Sequence, residues 1–308
     1  AVGSPPVVAS AATDIALIPL PNGDTLGSIA GRVVGDSPGG TLVVAGNVSG
    51  IADATGDYVV FNVAPGQVEV SAYAAGSNYD GASADVTTGK LTTGVDLIEN
   101  ERPTATISGK LSIVNGGGAS ATSLVLAVEE TFQENTARGD IPLGLRVGGI
   151  SGDWSIAGVP EGKYVVLAAF ENDGLVRDPD TSIGGTEIVH ITVDGTDQTL
   201  SQTFKVTGAL DVVSPGAEGL EEVSGTPELA WEDDSSEDSY DVSLFDALGN
   251  LTWQASGNFD AGGGKPATVG YTGPALVPGM IYQLRAISVK GGVPIAMTED
   301  LKGVFLYK

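Results

Sequence analysis

Short runs in which apolar and polar residues alternate recur along the chain, cut by Gly, Pro, Asn and Asp. Ser28–Val34, Tyr58–Val63, Val68–Tyr73, Tyr164–Phe170, Glu187–Val193, Tyr240–Asp246 and Tyr282–Val289 are of this kind. A period of two places successive side chains on opposite faces of a strand, and runs this short, rich in Val, Ile, Thr and aromatics, predict strands. Almost nothing has a helical period. Strands at intervals of about 8–12 residues with turn residues between them read as sandwiches or small barrels. The pattern predicts an all-β chain.

Two stretches echo each other. Gly27–Val34 (GSIAGRVV) is matched by Ala105–Ser112 (ATISGKLS), and Ala54–Ala75 by Ile150–Phe170. In both copies a Gly-Asp-aromatic turn starts a strand, Gly56-Asp57-Tyr58 and Gly152-Asp153-Trp154, and a Pro/Gly corner ends it, Pro65-Gly66 and Pro160-Glu161-Gly162. The second copy carries extra chain, about 18 residues around Thr122–Arg146, judged from the unequal spacing of matched motifs. These motifs resemble the carboxypeptidase regulatory-like (transthyretin-like) domain. The resemblance implies a seven-stranded sandwich used as a scaffold in exported and surface proteins. It makes Asp57 and Asp153 turn residues and Tyr58 and Trp154 core residues.

From about Asp211 the texture changes. Thr226–Gly257 followed by Pro274–Gly292 resembles a fibronectin type III-like sandwich. In that resemblance Trp231 is the core Trp, Tyr240 opens the strand facing it, Leu276 and Tyr282 form the corner before the penultimate strand, and Leu301–Tyr307 holds the last strand. The expected organisation is three tandem β-sandwich (Ig-like or transthyretin-like) domains behind an extended N-terminal strand. Residues 1–23 are the extension, 24–100 and 101–208 the two carboxypeptidase regulatory-like units, and 209–308 the fibronectin-like unit. Linkers of only a few residues predict a stiff array.

The extension (AVGSPPVVASAATDIALIPLPNG) fits none of the units. It reads as an edge strand or tail of the first sandwich, or as a strand donated to a neighbouring subunit's open sheet edge. In the second reading Val7, Val8, Ile15, Leu17, Ile18 and Leu20 carry the assembly contacts, and Pro19 and Pro21 end the pairing because they cannot donate a hydrogen bond.

Composition narrows the function. The 308 residues contain 14 Lys+Arg against 39 Asp+Glu, one His and no Cys, for a formal charge of −25. Absence of Cys removes disulfides, thiolate nucleophiles and cysteine metal sites. So negative a chain lacks the basic surface that displaces counterions from nucleic acid. No apolar run reaches the roughly 20 residues of a spanning helix. The acidic, Lys-poor, Ala/Val/Thr/Gly-rich composition, with no initiating Met or basic leader, is expected of an extracellular or cell-surface protein after signal-peptide removal.

Candidate chemistry is sparse. His190, in a strand with Ile188 and Thr192 on its own face, has no recognisable triad partner and reads as a surface-facing or strand-packed residue. Carboxylate pairs such as Glu129-Glu130, Glu221-Glu222 and Asp233-Asp234 lack the aromatic-lined cleft of a glycosidase. Glu232–Asp238 could gather oxygen ligands, which makes Asp233, Asp234, Glu237 and Asp238 candidate calcium ligands, although the run matches no EF-hand loop and reads equally as a solvated acidic turn. Asp53/Asp57 and Asp173/Asp178/Asp180 are lesser candidates. Trp253 and Tyr271 could form a carbohydrate platform or simply pack. No cofactor is required. The expected function is a non-catalytic structural protein that polymerises with itself into a surface filament by strand donation. The alternative is a monomeric adhesin or carbohydrate-binding module.

Overall fold

The computed structural model describes residues 23–170, 173–180, 182, 184–186, 188–234, 236–259, 262, 264–300 and 302–308. The assembly residues Val7, Val8, Ile15, Leu17, Ile18 and Leu20 lie outside the described residues. Beyond a 3-10 turn at Gly23–Thr25, strands fall into three successive groups, and no sheet mixes them.

The first group is β1 (Gly27–Val34), β2 (Leu42–Ala45), β3 (Val48–Ile51), β4 (Asp57–Val63), β5 (Gly66–Tyr73), β6 (Asn78–Asp80), β7 (Ala82–Val86), β8 (Leu91–Thr92) and β9 (Leu97–Asn100). One sheet runs β4-β1-β9-β6 with β8 beside β1, and the other β3-β2-β5-β7. Ile29, Tyr58, Val60 and Leu97 of the first sheet pack on Val43, Val70 and Ala84 of the second.

The second group is β10 (Ala105–Ile113), β11 (Thr122–Val128), β12 (Arg146–Ile150), β13 (Asp153–Val159), β14 (Gly162–Ala168), β15 (Leu175–Arg177), β16 (Val189–Val193) and β17 (Gln198–Gly208). Its sheets, β13-β10-β17-β15 and β12-β11-β14-β16, repeat the first topology, with β17 in the places of β8 and β9. In both copies the last strand runs parallel to the first. The repeat extends to a bulge late in β4 and β13, where Asn62 and Gly158 both take positive φ.

One expectation needs correction. Thr122–Val128 is buried throughout as a central strand equivalent to β2, so the extra chain does not begin at Thr122. The tight turn after Ala45 is replaced by residues 129–145.

The third group is β18 (Val212–Ser214), β19 (Glu221–Val223), β20 (Glu228–Trp231), β21 (Ser239–Asp246), β22 (Leu251–Gly257), β23 (Ala267–Gly270), β24 (Ile281–Lys290), β25 (Val293–Met297) and β26 (Val304–Tyr307). Sheet β18-β20-β23 opposes β19-β26-β24-β21-β22, and β25 adds to β24. Fully buried Trp231 meets Tyr240 edge-on at 5.1 Å between ring centres. The Val277 amide donates to the Tyr282 hydroxyl at 2.9 Å, closing the corner expected there.

The sandwiches are joined by buried side chains. In the first, β2 is buried on both faces: Val43 and Ala45 point into their own core, while Leu42, Val44 and Tyr73 join the core of the second sandwich. Tyr73 stacks edge-on to Tyr164 at 5.9 Å, and a Cβ on Gly162 would lie 2.8 Å from the Tyr73 ring. Beside this apolar contact sits Asn78, 2% exposed. Its amide donates to the carbonyls of Arg102 and Pro103 at 3.0 and 2.9 Å, and its oxygen accepts from the Glu161 amide at 2.7 Å. Arg102 adds a 2.8 Å ion pair with Glu161.

Residues 129–145 make the second junction. They are braced internally: Thr131 hydroxyl donates to Val128 O, the Asp140 amide donates to Thr131, and Gln133 and Arg138 exchange backbone bonds. Phe132 and Ile141 cover Val125, Ala127, Val165 and Leu167 on the outward face of β11 and β14. At one end of the segment the Leu143 carbonyl accepts from Ala75 of the first sandwich. In its middle, Arg138 donates to the Asp300 carbonyl and Thr136 O accepts from Arg285 of the third. The third sandwich reaches back: its last strand is interrupted between β25 and β26, and there Glu299 accepts from the Gly174 amide at 2.7 Å.

Two outcomes follow from these junctions. Asn78→Ala strands the Glu161 amide and two carbonyls, so unfolding by denaturant should show a loss of roughly 2–4 kcal/mol, from about 1–3 kcal/mol per buried group left unpaired. An unchanged midpoint and slope would contradict the junction's role. Glu299, 4% exposed, has its carboxyl pushed above the ordinary value by burial. A raised folded pKa means the native state holds that proton more tightly, so this group's share of stability rises as pH falls from the raised value toward 4.5 and is lost above it. Glu299→Gln keeps an acceptor for Gly174. It should match or exceed the parent in thermal midpoint at neutral pH, with the difference shrinking as pH falls through that window.

Candidate functional site

The acidic loop after β20 is occupied by its own hydrogen bonds. Asp233 accepts from the Tyr240 hydroxyl at 2.9 Å, whose oxygen in turn accepts from the Asp234 amide. Asp234 accepts from Ser236 at 2.9 Å and from buried Ser288 at 2.8 Å, while Asp238 accepts from the Gly291 amide at 2.7 Å. Burial pushes the Glu237 carboxyl up, and burial also raises the Tyr240 phenol. Asp233, Asp234 and Asp238 hold the loop to Tyr240 of β21, Ser288 of β24 and the turn at Gly291 by separate donors, whereas Glu237 keeps a buried carboxylate oxygen without a hydrogen-bond partner. Among the described residues no three acidic or imidazole side chains gather in metal-binding geometry.

The lesser candidates behave alike. Asp53 caps its turn by accepting from the Thr55 amide and hydroxyl, both at 2.8 Å, and the hydroxyl bond is the main reason its carboxyl lies below the ordinary value. Asp178, 4% exposed, pairs with Lys205 at 3.1 Å and accepts from the Asp180 amide; Asp180 accepts from Ser182. Asp173, Asp178, Asp180 and Asp234 border a cleft of about 840 Å³ between the second and third sandwiches, with Lys290 on its rim.

His190 is exposed. Its Nδ1 lies 3.3 Å from Glu129 and its ring meets Phe132 edge-on, both in the 129–145 segment. It fastens that segment to β16. Trp253 is half-buried and tilted 59° against Tyr271, donating to Thr272 at 3.3 Å; Tyr271 is buried and donates to Pro274 O. The two rings pack on each other rather than forming a flat platform.

Sequence reasoning passed over the outward face of the β4-β1-β8/β9 sheet. Tyr58 and Val60 point inward from β4, yet the outward residues Val59 and Phe61 are also apolar, 38% and 63% exposed. Phe61 is the one exposed aromatic among the described residues. Across the sheet, Leu91 on β8 stands opposite Ser28, and Ile98 on β9 opposite Val34, all with outward side chains. An ion-paired row, Arg32 with Asp57 at 3.7 Å, separates Val59, Phe61 and Leu91 from Val34 and Ile98. The signal lay in the sequence: YVVFNV is apolar on both faces, while its partner copy WSIAGV alternates.

No family model matches the chain, and neither does any curated protein. Among solved structures, the TIE protein of Bacillus anthracis is 12% identical over 92% of this chain and 50% of its own, with a TM-score of 0.24. This chain therefore spans about half the length of that protein. The minor pilin GBS52 of Streptococcus agalactiae is 12% identical over 61% of this chain and 98% of its own, TM-score 0.26. The FN1–FN3 domains of chicken CNTN1 are 11% identical over 89% and 95%, TM-score 0.20. Among the described residues, no helix is long and apolar enough to cross a membrane, which says nothing of a β-barrel.

The acidic loop yields a test. Asp234→Ala leaves buried Ser288 without its carboxylate and should cost about 1–3 kcal/mol by chemical denaturation. In the same assay, calcium at about 1 mM, within the range of extracellular calcium modules, should leave the parent's midpoint unmoved. A calcium-dependent gain abolished by Asp234→Ala would place a calcium site at this loop.

Proposed function

We propose that this chain is a non-catalytic, exported structural protein, the self-assembling subunit of an extracellular surface filament. The observation that carries the reading is the pair of junctions. Buried bonds from Asn78, Arg138, Arg285 and Glu299 tie the three sandwiches together, a construction suited to spacing and bearing load. The titratable groups that could have served chemistry are engaged in the fold: Asp178 with Lys205, Asp233 with Tyr240, His190 with Glu129.

Polymer growth proceeds by strand donation from the N-terminal segment. Main-chain bonds to an open sheet edge set the register, and Ile15, Leu17, Ile18 and Leu20 supply apolar burial, with Val7 and Val8 upstream. The first sandwich ends its sheets on β4 and β6 and on β3 and β7; β3 packs against β4, where a Cβ on Gly50 would meet the Val59 carbonyl, so β6 and β7 are the edges left for pairing. At a charge of −25, copies repel, and the attraction must come from burial and backbone bonding, which salt does not screen. Calcium bridging between acidic surfaces is a further, non-site contribution to assembly.

Deleting residues 1–22 should leave folded monomers, with an unchanged thermal midpoint, that form no filaments by electron microscopy. For the full chain, added monovalent salt should speed assembly. Filaments grown from the deleted chain would sink strand donation and turn attention to the adhesin or carbohydrate-binding alternative.

A further inference from the structure

The tandem repeat supplies its own control for the exposed face of the first sandwich. Registers match pair by pair: Ile29 with Val60 corresponds to Ile107 with Ile156, Gly31 with Tyr58 to Gly109 with Trp154, and Arg32 with Asp57 to Lys110 with Asp153. Inward positions keep their apolar character and the outward ion pair is kept as well, Lys110 lying 3.7 Å from Asp153. The other outward positions do not match. Ala30 opposite Val59 becomes Ser108 opposite Ser155, and Val34 opposite Ile98 becomes Ser112 opposite Lys205. Phe61 becomes Ala157. The place of Leu91 is taken by Asp197, which accepts from the Thr106 amide at 2.7 Å. One topology in one chain thus carries a polar outer face in the second copy and an apolar one in the first. Contiguous exposed apolar side chains on one copy, bordered on one side by the Arg32–Asp57 row and absent from its twin, point to a contact surface.

We infer that the patch formed by Val59, Phe61 and Leu91 is the acceptor for residues Ile15–Leu20 of a second copy of this chain. The inference rests on the strand-donation reading and names its partner surface. The apolar segment is the stretch of chain immediately ahead of Gly23, where the described residues begin, and it is long enough to matter. At about 3.3 Å per extended residue, Ile15–Leu20 spans roughly 20 Å, whereas the patch covers only the rows of Ser28 and Ala30, roughly 7 Å along β1. Geometry disfavours the chain's own segment. β1 starts at Gly27, beside Leu91, so a segment folding back in its own molecule would lay Pro19–Asn22 on the patch and carry Ile15–Ile18 over the Arg32–Asp57 row. A second copy's segment has no such tether. It can set Ile15 and Leu17, or Ile18 and Leu20, against Phe61 and its neighbours on the outward face.

The test grafts the second copy's residues onto the first. The full chain carrying V59S, F61A and L91D changes exposed positions only, so it should fold with a circular-dichroism spectrum like the parent's. Its filament yield should drop at least tenfold at concentrations where the parent assembles. Mixed with the chain lacking residues 1–22, it should form heterodimers and stop, because one partner offers only a donor and the other only an acceptor. Should the deleted chain fail to assemble while the grafted chain polymerises normally, the acceptor lies elsewhere and this inference falls, with strand donation intact. Should both polymerise, both fall. Loss of filaments without heterodimers in the mixture also overturns it. If the graft does not fold, a benzophenone amino acid at Phe61 in the full chain keeps the question decidable. Cross-links from that position to residues 15–20 of another copy are expected. Cross-links within the chain, or to any other segment, contradict it.

Discussion

A sheet has two faces, and in this chain both faces of β2 and of β11 are apolar; covering the second face organises everything else. The first sandwich meets the requirement by pressing Leu42, Val44 and Tyr73 into the next unit's core. The second cannot do so in the same way. Residues 129–145 lie over Val125, Ala127, Val165 and Leu167, and their far side meets the third sandwich through Thr136 and Arg138. One inserted segment therefore closes a core and makes a joint. Its backbone polar groups would be costly to bury; the Asp140 amide donates to the Thr131 hydroxyl and the Thr136 carbonyl accepts from Arg285.

Charge is distributed with the same logic. In a chain so acidic, cations are scarce, and several of the guanidinium groups stand at joints. Arg102 ties the first linker to Glu161, and Arg138 and Arg285 converge on Asp300. Arg177, near the same place, donates to Thr186. Burial holds Arg138 and Arg177 below the ordinary arginine range, and they remain cationic. The acidic excess faces solvent, where like charge repels other copies of the chain.

The period-two pattern and the paired motifs carried most of the fold. Trp154, Trp231, Tyr240 and the Tyr282 corner sit where those motifs imply, because a large buried aromatic leaves a strong local mark. What stayed hidden depends on nonlocal placement. Thr122–Val128 looks like inserted chain when motif spacings are compared, and only its pairing with β14 reveals a central strand. The Asn78 bridge joins residues more than eighty positions apart, and a lone Asn before Tyr79 announces nothing. The acidic run suggested ligands because composition does not show hydrogen bonding; in space Asp233, Asp234 and Asp238 accept from Tyr240, Ser288 and Gly291. The exposed face was legible in principle. Comparing YVVFNV with WSIAGV by face, rather than by overall apolarity, separates Val59 and Phe61 from their core neighbours.

At the centre of this account stands a chain that behaves as one mechanical body, its sandwiches locked by buried junctions instead of strung on linkers. Differential scanning calorimetry of the chain at a pH near neutral is the most direct measurement. The account expects a single cooperative transition whose calorimetric and van't Hoff enthalpies agree, as they do when all parts unfold together. Two or three separable transitions, with a van't Hoff enthalpy well below the calorimetric one, would mean that the sandwiches unfold independently and that the junctions do not bind them into one unit.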